Sequence, residues 1–421
     1  MANMQDYRSK AAPAARRGMH YGWVIVAVGV LVLFSCLGLA RFSFGVLLPP
    51  MAEALGLSYS QSGALGTGYF IGYLATVMAA PMAARRFGYR RTIAFGLLLV
   101  ALTMGLLGAS GSFALALVLY TLTGVGSGAA NIPLMALISF WFAPSVRGTA
   151  VGLVIGGNGL GIVFSGFLVP YVAEAAGAAG WRWAWIMLAA VSGLVALLSA
   201  LLLRDRPEDK GLAMIGDQGR SRPIPKREKG FSGHEKGVLG HLGLIYFLFG
   251  ATYMVYGTFV VTTMVDELGF DQGAAGRFWA AVGFFGMFSG ALFGRLSDAF
   301  SRRAGLMGAY GLQTAAYLLA GLASGPAPLY VSVFLYGISA FSVPTIMAAT
   351  VADRLGPARA ATGFAIITLF FAVGQVLGPV GAGRLADAMG GFSTGYLLTA
   401  GMTASAFILA LFLKPVRSGK S

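Results

Sequence analysis

Arg41 is the residue of this 421-residue chain whose placement most invites chemistry. It stands about 20 residues, or roughly 30 Å, into an apolar run of nearly 30 residues. An unpaired guanidinium in hydrocarbon costs several kcal/mol, so it must face a cavity or a partner. Its planar fork of donors matches a carboxylate, sulfonate or phosphate. The competing reading is an arginine reaching for the outer interface or for helix-end carbonyls.

Other polar residues sit in comparable runs. Asn131 precedes Pro133, Asn158 lies in GGNGLG (156–161), and Gln375 precedes Gly378 and Pro379. An amide in hydrocarbon must be hydrogen-bonded, either across helices or to a ligand. Tyr253, Tyr256 and Tyr336 offer aromatic rings with hydroxyls, and the first two, three residues apart, are expected on one helix face. Tyr69 and Tyr73 form a similar pair. Arg182 in GWRWAW (180–185) reads as an interfacial aromatic anchor, as does Arg277 beside Asp271 and Trp279. Arg384 and Asp387 read as a local ion pair.

Several chemistries have no support. No carboxylate lies deep in any apolar run, so no buried Asp or Glu is placed to carry a proton. Cys36 is the only cysteine and the three histidines fall at span edges, which leaves no metal-ligand cluster and no disulfide framework. No catalytic constellation stands at one depth. The terminal SGKS (418–421) lacks the upstream glycine of a phosphate-binding loop. Neither a cofactor nor an enzymatic activity is expected.

The elements that must hold these residues are apolar helices. Apolar residues make up 57% of the chain and charged ones 11%, against about 25% charged in a soluble domain. Twelve apolar stretches of about 20 residues or more are readable: 21–49, 61–83, 92–110, 113–140, 149–173, 183–203, 242–266, 274–296, 305–324, 328–352, 361–386 and 394–413. If they alternate with both termini inside, 26 of the 30 basic residues fall on the cytoplasmic side, as the positive-inside rule requires. Only Arg41, Arg182, Arg277 and Arg384 do not. The net charge of +15 is thereby assigned to span-end loops, and no nucleic-acid partner is expected.

The chain divides into a cytoplasmic tail (1–20), a six-helix half (21–203), a flexible basic linker (204–241), a second half (242–413) and a short tail (414–421). The halves echo each other: PMAARRFGYRR (81–91) is answered by GRLSDAFSRR (294–303), and FAPSVRGTAVG (142–152) by DRLGPARAATG (353–363). Such duplication marks a secondary transporter with its site between the repeats. Gly152, Gly156, Gly157 and Gly161, with Gly374, Gly378, Gly381 and Gly383, are expected to pack helices closely between the halves.

On these motifs the chain resembles the major facilitator superfamily over residues 20–415. The signature loop is matched by Gly294, Asp298, Arg302 and Arg303, with Ser301 where glycine is usual. In the first half Gly88 and Arg90 survive, while Pro81 and Arg85 replace the glycine and aspartate. The resemblance implies a cytoplasmic latch of these residues, with Arg147 at the answering junction, intact in one half and altered in the other. It also implies an all-α fold of twelve membrane helices and a cavity lined in part by Arg41, Asn131, Asn158, Tyr253, Tyr256, Tyr336 and Gln375. Residues 40–51 look similar to a bacterial branch of mostly unassigned substrate, and residues 124–161 to bacterial organic-anion and monocarboxylate carriers. Gly290, however, stands where those carriers have an arginine.

The expected function is secondary transport of a small solute, best read as an organic anion. Efflux of amphipathic drugs or metabolites is the alternative, and a non-transporting sensor on a carrier fold is a third reading. The expected partners are a small-molecule solute and the lipid bilayer. The expected setting is a monomer in a bacterial cytoplasmic membrane.

Overall fold

The computed structural model describes residues 19–216 and 230–413 and is helical almost throughout. Ten stretches are long and apolar enough to cross a membrane. One of them, Pro144–Leu202, has 59 residues, roughly 90 Å of helix and three times the hydrocarbon thickness. It turns back at Gly177–Ala179 and so holds two helices. Arg302–Gly321 is less apolar but packs among the others as a further long helix.

Twelve rods result among the described residues: α1 (Gly22–Leu55), α2 (Tyr59–Phe87), α3 (Tyr89–Gly108), α4 (Phe113–Trp141), α5 (Pro144–Ala176) and α6 (Gly180–Leu202), then α7 (Gly233–Glu267), α8 (Gln272–Ala299), α9 (Arg302–Gly321), α10 (Pro326–Leu355), α11 (Pro357–Met389) and α12 (Ser393–Leu411). Their starts are written locally. Ser58 with Gln61, and Ser232 with Glu235, form capping boxes; Asp271 and Ser301 cap α8 and α9; Pro144, Pro326 and Pro357 occupy first turns.

The packing is duplicated. Within the first six helices α2 packs on α4, α3 on α4 and α6, and α1 on α5. Within the last six α8 packs on α10, α9 on α10 and α12, and α7 on α11. Adding six to each helix number converts one set into the other, the spatial form of the sequence echo. The sets meet along α5–α8 and α2–α11, which are equivalent under the same shift, and where α1 crosses α7.

These seams are tight toward the end that carries Glu53, Asp266 and Asp387, called here the acidic end. A Cβ on Gly276 of α8 would lie 2.3 Å from Pro170 and 2.4 Å from the Gly166 carbonyl of α5. A Cβ on Gly383 of α11 would lie 2.3 Å from the Tyr59 carbonyl of α2. The Asp387 carboxylate accepts the Tyr59 and Ser60 N–H groups, both at 2.9 Å. Toward the opposite, basic end, a Cβ on Gly148, Gly152 or Gly156 of α5 would meet nothing within 4 Å. The halves are closed together at the acidic end and stand apart along α5 at the basic end.

Four expectations need correction. Of the eight glycines read as a seam between halves, only Gly383 meets the other half; Gly157 and Gly161 pack against α1, Gly374 and Gly378 against α7, and Gly152, Gly156 and Gly381 face open space. The α5–α8 seam uses Gly159 and Gly166 with Gly276 and Gly283 instead. Asp387 is engaged by the start of α2, and no bond to Arg384 forms. Arg182 donates to the Gly108 and Ser110 carbonyls at 2.9 and 2.7 Å, closing the end of α3.

The fourth concerns the linker. Residues 204–216 are folded against the first half: Trp141 donates to the Arg204 carbonyl at 2.9 Å, and Ile215 bridges Trp141 and Ala143 through backbone hydrogen bonds of 2.9 Å. From Gly233 the expected linker is already α7, because Ser232 and Glu235 start that helix. The tails at 1–18 and 414–421, with linker residues 217–229, lie outside the described residues.

Candidate functional site

The site begins with an irregularity in α1. Residues Phe34–Phe42 are wound as a π-helix, whose wider turns displace carbonyls from their usual partners. Side chains from three other helices take up several of these carbonyls. The Tyr69 hydroxyl of α2 donates to Cys36 at 3.0 Å, that of Tyr120 of α4 lies 3.2 and 3.3 Å from the Ala40 and Arg41 carbonyls, and Trp279 Nε1 of α8 donates to Phe42 at 3.0 Å. The bulge is thus fixed from both halves, and Arg41 rides on it.

The Arg41 guanidinium crosses to the second half. One Nη donates to the Tyr253 hydroxyl of α7. Gln375 Nε2 of α11 donates to that same hydroxyl at 2.9 Å. Three rings surround the cation: Phe70, Phe42 and Tyr253 have centroids 4.6, 5.1 and 5.4 Å from its central carbon, the arrangement of a cation–π cage. Arg41 Nε is buried and has no hydrogen-bond partner. The guanidinium therefore neither reaches for the interface nor caps a helix end. It carries a positive charge and a free donor at the junction of the halves.

The remaining expected residues separate into groups. Tyr336 joins the cluster from behind, donating to the Tyr253 backbone carbonyl at 2.8 Å. Asn131 donates to the Tyr73 hydroxyl at 2.7 Å, and its own oxygen is buried without a partner. Asn158 has a buried, unpartnered oxygen as well. Tyr256 is not brought to Arg41. It is fully buried, pairs with Ser332 at 2.7 Å and stacks on Tyr336 at 4.2 Å. Three residues span about 300° on a helix, so Tyr253 and Tyr256 are near neighbours on it yet serve different surroundings.

Phe70, Phe42, Trp279 and Tyr120 complete the site and were not singled out as binding residues. Trp279, named in the sequence only as a neighbour of Arg277, is buried. A tryptophan needs a partner for its N–H when buried, but the partner, the bulged Phe42 carbonyl, exists only because α1 is π-wound.

The latch residues lie at the basic end. Arg302 bonds to Asp298, to Ser297 at 3.0 Å and to Asp353 at 2.6 Å, joining α8, α9 and α10 within the second half. Gly294 faces Thr345 of α10 and Arg303 is exposed. In the first half Asp205, from the folded linker segment, accepts the Tyr89 and Arg90 N–H groups at 3.2 and 2.7 Å. A carboxylate thus stands at the start of α3 although the loop motif lacks its aspartate. Arg147 donates to the Phe142 and Ser139 carbonyls, both at 3.3 Å, at the end of α4. Among the described residues no group of three or more His, Cys, Asp or Glu side chains could hold a metal ion.

With this geometry in hand, comparisons add the relatives. A family model described as an uncharacterised MFS-type transporter, YbfB, matches residues 33–411. The chain is 26% identical over 408 residues to a probable sulfoacetate transporter of Cupriavidus necator, covering 92% of this chain and 93% of the relative. It is 22% identical over 394 residues to the hexuronate transporter of Bacillus subtilis, covering 90% and 92%. The fold is similar to a bacterial homologue of the human lysosomal transporter Spinster, solved inward-facing and occupied: TM-score 0.75, 18% identity, 94% of this chain and 97% of that one.

Proposed function

The chain belongs to the MFS-type transporter family and so to the major facilitator superfamily, and from that premise we propose that it carries a small organic anion bound at Arg41. It is a multi-pass membrane protein and a secondary transporter, and its partner is a small-molecule solute. We take the basic end to face the cytoplasm of a bacterial inner membrane and the protein to act as a monomer.

The observation that carries the reading is the guanidinium of Arg41, held between the halves with Nε unpartnered. A cation enclosed by three rings has no carboxylate bonded to it in the described structure. An incoming carboxylate or sulfonate supplies one, with two oxygens for the two sides of the fork. The anion entering from the basic end takes Nε and competes with the Tyr253 hydroxyl for Nη. Gln375, released from that hydroxyl, and Asn131 are the neutral partners for the solute's other polar groups. The names of the relatives support the class: sulfoacetate and hexuronate are both small anions.

Transport follows from where these partners sit. Arg41 and Phe70 belong to the first half, Tyr253 and Gln375 to the second, so a bound anion contacts both and its exit to either side requires the halves to rock. The Asp298–Arg302–Asp353 cluster lies within one half here. We assign it the latch role for the opposite state, in which the basic ends come together.

Uptake by proteoliposomes decides the question. Labelled sulfoacetate and hexuronate should accumulate, while a neutral hexose and a hydrophobic cation should not. Accumulation of the cation with neither acid entering would overturn the anion reading.

A further inference from the structure

A cavity lies on the outside of the bundle, away from Arg41. A groove of ≈ 910 Å³ runs between α1, α5 and α8, with walls that include Val30, Leu31, Phe34, Leu160, Phe164 and Phe167. At its acidic end the same groove is lined by Glu174 of α5 and Arg277 of α8. Both side chains are exposed, and neither forms an ion pair or a hydrogen bond among the described residues. Two opposite charges share one rim and leave each other unpaired.

The dimensions fit a lipid tail. From Glu174 to Leu160 the wall runs about 14 residues, or roughly 21 Å of helix. One leaflet of hydrocarbon is about 15 Å thick, half of the whole core. A chain entering at the charged rim can therefore lie against protein along its full length. The groove is apolar on its walls and charged only at its mouth, the polarity of a phospholipid.

We infer that this groove binds one phospholipid with a phosphoethanolamine head group, its phosphate on Arg277 and its ammonium on Glu174. The rim selects among head groups by charge and by donors. A phosphoglycerol head satisfies Arg277 and leaves Glu174 without a cation. A phosphocholine head supplies a cation that has no N–H to donate. Only a primary ammonium beside a phosphate completes both partners.

The lipid also spans the two halves, since Glu174 lies on the first and Arg277 on the second. The rim stands beside the Gly166–Gly276 contact that closes the acidic end. Separating α5 from α8 there would part the two charges, so the lipid binds the closed arrangement better and favours it.

The test is native mass spectrometry of the full-length protein, stripped of lipid in detergent and then given equal amounts of phosphatidylethanolamine, phosphatidylcholine and phosphatidylglycerol. Wild type should retain one phosphatidylethanolamine at about tenfold higher occupancy than either competitor, which corresponds to about 1.4 kcal/mol. Glu174→Gln and Arg277→Gln should each remove that preference while melting like wild type in lipid-free detergent, because both side chains are exposed. Equal retention of the three lipids by wild type overturns the proposal, as does an unchanged preference in both variants. Neither result depends on whether the protein transports an anion.

Discussion

Arg41 and Tyr253, 212 residues apart in sequence, share a hydrogen bond that joins the first half of the bundle to the second. The bond sets an arginine side chain against a neutral hydroxyl inside an aromatic cage. Such a contact holds the cation in place without neutralising it. That is the condition an anion site must meet when empty.

Replacing Arg41 should remove anion uptake. A hydrogen bond to a charged group is worth about 1.5–3 kcal/mol, so Arg41→Ala should raise the apparent Kd for the transported acid by about tenfold to about a hundredfold. Arg41→Lys keeps the charge but loses the fork and should recover little of the affinity. Ligand-dependent shifts in melting temperature measure both.

Gln375→Glu puts a carboxylate within reach of Tyr253 and beside the Arg41 cation. The introduced charge occupies the guanidinium permanently. Uptake should fall to background while the melting temperature rises. A variant that transports normally would show that Arg41 does not meet the solute.

Gly276→Val tests the closed seam. Its Cβ would fall 2.3 Å from Pro170 and 2.4 Å from a backbone carbonyl, and overpacking of this kind costs about 1–3 kcal/mol. The acidic end should open more often. Spin labels at the acidic ends of α5 and α8 should show a second, longer distance that wild type lacks.

Asp387→Ala removes the acceptor of the Tyr59 and Ser60 N–H groups across the α2–α11 seam. It should open the acidic end in the same sense, and Asp387→Asn, which keeps an acceptor oxygen, should do so less. The same label pair placed on α2 and α11 reads the difference.

Trp141 tests the folded linker segment. It is fully buried and bonds to the Arg204 carbonyl. Trp141→Ala should destabilise the protein by about 3–5 kcal/mol and unfold the turn at Pro207–Lys210, so that trypsin cuts after the already exposed Lys210, measured by melting temperature and limited proteolysis.

The all-helical membrane class, the duplication and the oddity of Arg41 are legible in the sequence because each is written locally. A membrane helix must satisfy its own backbone and be apolar over about 20 residues, so hydropathy alone marks most of the spans. Arg302–Gly321 shows the margin: it is less apolar than the rest, yet its Ser301 cap and its packing keep it a helix. The fold of the linker is hidden from the sequence for a related reason. Its polar residues suggest flexibility, while Leu212 and Ile215 within it pack on the cluster around Trp141, far away in sequence, and Trp141 bonds to it.

Which polar residues meet was decided by the tertiary structure. A helix commits a residue to a face, but the neighbour of that face depends on packing between segments hundreds of residues apart. Tyr253 and Tyr256, three positions apart, illustrate it: one reaches Arg41 and Gln375, the other Ser332. The glycine pattern promised close approach and could not say to what, so Gly157 and Gly161 serve α1 while Gly159 and Gly166 serve α8. The sequence by itself determined that an arginine must be sheltered within α1, because hydrocarbon tolerates no exposed guanidinium. Only the assembled bundle, bulged at Phe34–Phe42 and closed at the acidic end, decided that its shelter is made by both halves.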